Sequence, residues 1–233
     1  VRIPMLGYGC FLISPQECER CVSDAIEVGY RAIDTAQAYY NEEGVGEAVS
    51  KAIAAGKVKR GDLFLTTKVW IMNAGYEKAK QSIEESLQKL KTDYIDLLLI
   101  HQAFNDYYGT WRAMEEAYKN GKVRAIGVSN FYADRFLDLA LFSEIKPMVN
   151  QLETHVFQQH RNDRSFMAKY GAHIEAWAPF ARGENIFMNH EDAAQTESFF
   201  ARFKVQSRRE RHGICNIKKR STNDDTWLWR LST

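Results

Sequence analysis

Several features are scarce or missing in this chain. It has four cysteines in 233 residues, Cys10, Cys18, Cys21 and Cys215. So few argue against a disulfide scaffold and suit a reducing compartment, so a cytoplasmic location is expected. No apolar run approaches the roughly 18 residues of a membrane-spanning helix, and no secretion or transit signal is read after Val1. The formal net charge is +1, which gives no electrostatic case for nucleic acid or a membrane surface. Cys18-Glu-Arg-Cys21 matches CxxC, but it falls in an amphipathic helical stretch and has no second pair. His155 and His173 have no partner pattern and read as structural, and Asn130, Gln151 and Glu153 lack metal-ligand spacing, so no metal site is expected. A glycine-rich phosphate loop is also absent after the first apolar run. Gly44-Val-Gly46 lacks a third glycine and follows Asn41-Glu42-Glu43, so it reads as helix packing.

What is present is a regular alternation. The runs at 3–13, YRAIDTA, LFLTTKVW, YIDLLLIH, VRAIGVSNF, PMVNQLETHVF and HIEAWAPFA have strand length. Helical spacing is read between them, over about 15–28, 43–55, 76–91, 109–120, 133–142 and 161–170. Ser14-Pro15-Gln16-Glu17 is a helix-start signature, with Ser as N-cap, Pro in the first turn and Glu at the capping-box position. Gly29 closes that helix. Seven β/α units up to about residue 182 predict a mostly parallel sheet.

Such a sheet is either open and doubly wound or closed into a barrel. Ionisable groups favour the barrel. Asp34, Lys68 and His101 lie at the ends of successive apolar runs, with Tyr39 just after the first. An unpaired charge in a strand core is costly. Repetition of polar groups at nearly every strand end is the pattern of a (β/α) barrel, whose chemistry sits at the C-terminal end of its strands. A carboxylate, a phenol, an ammonium and an imidazole together can hold and move protons. Tyr40, beside Tyr39, is a rival for the acid role.

The segments LGYGCF, YRAIDTAQAYYNEEGVGEA, LFLTTKVW, YIDLLLIHQ, GKVRAIGVSNF, VNQLETHVFQQ and EAWAPFA together resemble the aldo-keto reductases, nearest to the bacterial and yeast carbonyl reductases of the diketo-gluconate type. The resemblance covers about residues 3–183. It implies a (β/α)8 TIM barrel, here with the eighth unit degenerate or incomplete. It also implies NADPH as cofactor, a small aldehyde or ketone as substrate, and a monomer. Asp34, Tyr39, Lys68 and His101 would form the catalytic tetrad. Tyr39, five residues after Asp34, would be the general acid, its pKa lowered by Lys68. Asp34 would orient Lys68, and His101 would place the carbonyl oxygen. Gly9, Cys10, Asp34, Ser129, Asn130, Gln151, Trp177 and Phe180 would lie against the cofactor, and Trp70 with His101 would line the substrate pocket. Ala103 and Ala178 depart from the family, which usually has Pro and Ser there.

Beyond Asn185 the rhythm fades. Residues 1–183 are expected to form the barrel units and 184–233 a divergent segment. Residues 201–233 hold Arg202, Lys204, Arg208, Arg209, Arg211, Lys218, Lys219, Arg220 and Arg230 against Glu210, Asp224 and Asp225. Within FKVQSRRER (203–211), Lys204, Ser207, Arg209 and Arg211 are the candidates for the cofactor's 2′-phosphate, at spacing that departs from the family's. The alternative reading is a weak or inactive barrel relative that acts as a binding protein or is a decayed copy.

Overall fold

The structure, a computed structural model, describes residues 1–181 and the backbone of 213–216. Seven strands, β1 (Leu6–Gly9), β2 (Ala32–Asp34), β3 (Phe64–Val69), β4 (Leu97–Ile100), β5 (Ile126–Ser129), β6 (Val149–Glu153) and β7 (His173–Trp177), alternate with six helices. The helices are α1 (Pro15–Glu27), α2 (Glu42–Ala54), α3 (Tyr76–Lys89), α4 (Tyr107–Lys119), α5 (Ala133–Phe142) and α6 (Arg161–Ala168). Each strand from β1 to β7 pairs in parallel with the next. An eighth strand, β8 (Gly213–Asn216), closes the barrel between β7 and β1.

β8 runs antiparallel to both neighbours, with Leu6 opposite Cys215 and Ala176 opposite Cys215 on the other side. The eighth unit is therefore degenerate, as expected, and reversed in direction. A parallel eighth strand would require a crossover back to the far end of the barrel. An antiparallel strand begins at the end where β7 finishes. The expected boundary at 183 lies outside the described residues.

The local signals explain the elements. Ser14 precedes α1 and Pro15 opens it, but the Ser14 hydroxyl donates to the Glu17 carboxylate at 3.3 Å and leaves the backbone uncapped. Cys18, Val22, Ala25 and Ile26 form the buried face of α1, and Gly29 takes φ +107° after its end. Gly46 serves packing: a Cβ there would lie 2.1 Å from the Lys89 carbonyl oxygen.

The period of two along each strand sorts the side chains. Ile33, Leu65, Leu98, Val128 and Ile174 belong to the large core between sheet and helices. Ala32, Phe64, Leu97, Leu99, Ala125 and Val149 form a second cluster in the N-terminal part of the barrel interior. Continuing the inward positions toward the C-terminal end gives Asp34, Lys68, Gln151 and Glu175. The interior is thus apolar at one end and polar at the other.

Candidate active site

β2 and β3 deliver the central pair. Lys68 follows Phe64 and Thr66 on the inward face of β3, so it is buried although it is a lysine. Asp34 ends β2 and accepts a hydrogen bond from the Lys68 ammonium through Oδ1. Lys68 Nζ also donates to the Thr35 carbonyl at 2.9 Å and to Tyr39 Oη at 3.4 Å. Gln151 Nε2, from β6, donates to Asp34 Oδ2 at 2.8 Å. Both aspartate oxygens are therefore engaged.

Tyr39 sits in a 3-10 turn, Gln37–Tyr39, that follows β2. That turn is pinned from two sides. The Thr35 hydroxyl donates to Asn41 Oδ1 at 2.7 Å, and Asn41 Nδ2 donates to the Cys10 and Ile13 carbonyls at 2.9 and 3.0 Å. Gln37 Oε1 accepts from the Trp70 backbone N–H at 2.9 Å, and its Nε2 donates to the Ser82 carbonyl at 3.2 Å. Tyr40, by contrast, has φ +56° and is 80% exposed. The geometry selects Tyr39 as the tyrosine in contact with Lys68.

His101 follows β4 directly. Its ring centroid lies 5.5 Å from that of Tyr39 and 5.1 Å from that of Trp70, edge to face in both cases. Phe11 covers the other side of Tyr39 at 5.2 Å. His101 Nδ1 is buried and has no hydrogen-bond partner among the described residues.

Burial dominates the electrostatics here. Burial and the Lys68 charge push the His101 pKa down to about 3, so the imidazole is neutral. Burial disfavours the Lys68 charge, but Asp34 and Tyr39 outweigh it and raise the Lys68 pKa. Burial likewise raises Asp34 against the pull of Lys68. Burial raises the Tyr39 pKa overall, although Lys68 pulls it down as expected. Desolvation of the phenol exceeds the ammonium's attraction, which Asp34 partly cancels.

β5, β6 and β7 bring further polar groups to the same end. Ser129 Oγ donates to the Gln151 carbonyl at 3.0 Å. Asn130 Nδ2 donates to the His101 carbonyl at 3.1 Å, and its Oδ1 accepts from Trp177 Nε1 at 3.1 Å. Gly9 ends β1 opposite Asp34, and Cys10 follows it, its N–H donating to the Asp34 carbonyl at 2.8 Å. Phe180 lies just beyond β7. Lys204, Ser207, Arg209 and Arg211 lie outside the described residues. Among the described residues no group of three or more His, Cys, Asp or Glu side chains could hold a metal ion.

The loops at this end carry backbone strain. Leu12, Tyr40, Asn105, Asn130, His160 and Ala178, one after each of six different strands, have φ between 46° and 63°. Such conformations cost energy in non-glycine residues and gather at functional sites.

Glu175 was not singled out from the sequence. It is buried on β7 at the same register as Gln151, and its Oε2 has no hydrogen-bond partner among the described residues. The signal was present: an acid inside an apolar strand, two residues before Trp177, breaks the same rule that exposed Asp34 and Lys68.

Residues 6–204 match the Aldo/keto reductase family, and the chain belongs to it. It is 44% identical over 186 residues to glyoxal reductase of Bacillus subtilis, covering 79% of this chain and 66% of the relative. It is 43% identical over 184 residues to methylglyoxal reductase DkgA of Yersinia pestis, covering 78% and 64%. It thus spans about two thirds of the length of these relatives. Among solved structures, Bombyx mori aldo-keto reductase in complex with NADP is 33% identical with a TM-score of 0.78, covering 88% of this chain and 74% of that one.

Proposed function

We propose that this chain reduces small aldehydes and ketones with NADPH, with α-dicarbonyls such as glyoxal and methylglyoxal as the substrate class, and that it works as a monomer. The observation that carries this reading is the Asp34–Lys68–Tyr39 arrangement. A buried ammonium, fixed by a carboxylate, lies 3.4 Å from a protonated phenol. The substrate class is suggested by the names of the similar reductases.

Tyr39 is the general acid. Its raised pKa keeps the proton in place at neutral pH. Lys68 stabilises the phenolate left after the proton passes to the carbonyl oxygen, and Asp34 holds Lys68 in position. Neutral His101 can hydrogen-bond the carbonyl oxygen without carrying charge. When bound, the reduced nicotinamide supplies a hydride to the carbonyl carbon. Ser129, Asn130 and Gln151 offer amide and hydroxyl groups suited to a carboxamide, and Trp177 offers a flat indole. This donor set fits the nicotinamide end of the cofactor. Trp70 and Phe11 flank the site and exclude water from the carbonyl.

The reversed β8 favours a second reading, a weak relative whose catalytic face persists while cofactor binding is impaired. The test is NADPH fluorescence titration together with glyoxal-dependent NADPH oxidation by the purified chain. Binding with turnover supports the first reading. Absence of both supports the second.

A further inference from the structure

One ionisable group in the barrel interior has no part in the chemistry described so far. Glu175 lies midway along β7, opposite Gln151 on β6. Gln151 points inward, where its amide donates to Asp34 at 2.8 Å. Glu175, at the same register of the pleat, faces the same interior. Its Oε2 is buried and has no hydrogen-bond partner among the described residues. An ionised carboxylate with an unsatisfied oxygen in such a place is costly, and a neutral acid far less so.

Resting on the reading of this site as a carbonyl reductase, we infer that Glu175 is a positioning residue for the reduction, a second carboxyl held uncharged so that Lys68 is shared with Asp34 alone. Among the described residues the charged and polar groups that act on it are few. From β2 it feels the charge of Asp34, from β3 that of Lys68, and from β6 it has the uncharged Gln151 beside it. α6 packs on the outer side of β7 and contributes no charge to it; the side chains of β8 lie outside the described residues. Burial, then Asp34, raises the Glu175 pKa to about 8, against the weaker pull of Lys68 and Gln151.

The consequence has a definite sign. Below that titration the interior holds one ammonium against one carboxylate, and Lys68 is available to stabilise a Tyr39 phenolate. Above it, Glu175 releases its proton to solvent. Lys68 is then divided between two carboxylates, and a Tyr39 phenolate would be a third negative charge around one cation. Proton donation by Tyr39 becomes unfavourable and reduction slows.

The test compares Glu175→Gln, which keeps the shape and removes the titration, with Glu175→Asp, which keeps the titration. In the wild type kcat for glyoxal reduction should fall above about pH 8. In Glu175→Gln the fall should move up by roughly one pH unit or more, and Glu175→Asp should retain it. Superimposed normalised profiles for wild type and Glu175→Gln would overturn the inference. Infrared spectroscopy supplies a readout that needs no turnover. The wild type should show a protonated-carboxyl stretch at about pH 6 that Glu175→Gln lacks. Its absence from the wild type would also overturn the inference. A wild type that shows the band but turns over no carbonyl compound would instead overturn the reductase reading, and the positioning role with it.

Discussion

At the N-terminal end of the barrel Asp96 is fully buried just before β4, and at the C-terminal end Asp34 is buried at the end of β2. Both sit beside cations. Asp96 accepts from Arg60 and Arg124 at 2.8 Å each and from the Leu65 backbone N–H at 3.0 Å. Arg60 also lies over the Tyr94 ring at 3.9 Å. Every group in that cluster faces a partner within it, as expected of a structural network. Around Asp34 the accounting is left open. Lys68 reaches Tyr39 only at 3.4 Å, His101 Nδ1 has no partner among the described residues, and neither has Glu175 Oε2. One end of the barrel uses a buried charge to close the fold. The other spends the same expensive feature on groups that stay available to a ligand.

This contrast predicts separable phenotypes. The largest combined effect on stability and rate is expected for Lys68→Met, which strands Asp34 in the interior and removes the cation beside Tyr39. Stability should fall by about 3–5 kcal/mol and the rate by roughly 10²- to 10³-fold. Denaturant unfolding with steady-state kinetics checks both, and a variant with wild-type turnover would show that Lys68 is only structural. Asp96→Asn should cost about 1–3 kcal/mol with kcat little changed, measured the same way. A large loss of kcat in a folded Asp96→Asn protein would blur the distinction between the two ends.

The effect confined to the narrowest range of conditions concerns acid. His101 titrates near 6.5 when unfolded and at about 3 when folded. The folded form thus binds fewer protons between those values, so stability rises with pH there. The contribution is complete above about 6.5 and is lost as pH falls toward 3. Melting temperatures of wild type and His101→Gln across that window should diverge, with the variant less sensitive to acid. Parallel curves would show that His101 is already charged in the fold.

Much of this was legible in the sequence because a barrel strand displays two periods at once. In FLTTKV, Leu65 and Val69 pack toward the helices with Thr67 between them, bonded to Glu42, while Phe64, Thr66 and Lys68 change from apolar to charged along the interior. That gradient located the site. α5 was readable to its bounds because its apolar positions recur at helical spacing between two turns. Glu175 escaped notice because a glutamate in HIEAW has no partner nearby in the chain; Gln151 reaches it only through the pairing of β6 with β7, and Asp34 only through closure of the sheet. Gln37 escaped for the same reason, since it bonds residues 33 to 49 positions away. The pull of Lys68 on Tyr39 was legible, but the net rise was not, because a sequence names the nearby charge and does not measure the desolvation opposing it. The reversal of β8 could not be read because pairing direction is not written in four residues.

The central claim is that Tyr39, and not its neighbour, gives the proton. Tyr39→Phe and Tyr40→Phe, compared side by side in NADPH-dependent glyoxal reduction, test it most directly. Tyr39→Phe should lose about 10²- to 10⁴-fold in kcat while still binding NADPH, and Tyr40→Phe should keep most of its activity. Near-full turnover by Tyr39→Phe, or loss of turnover in Tyr40→Phe alone, would contradict the account.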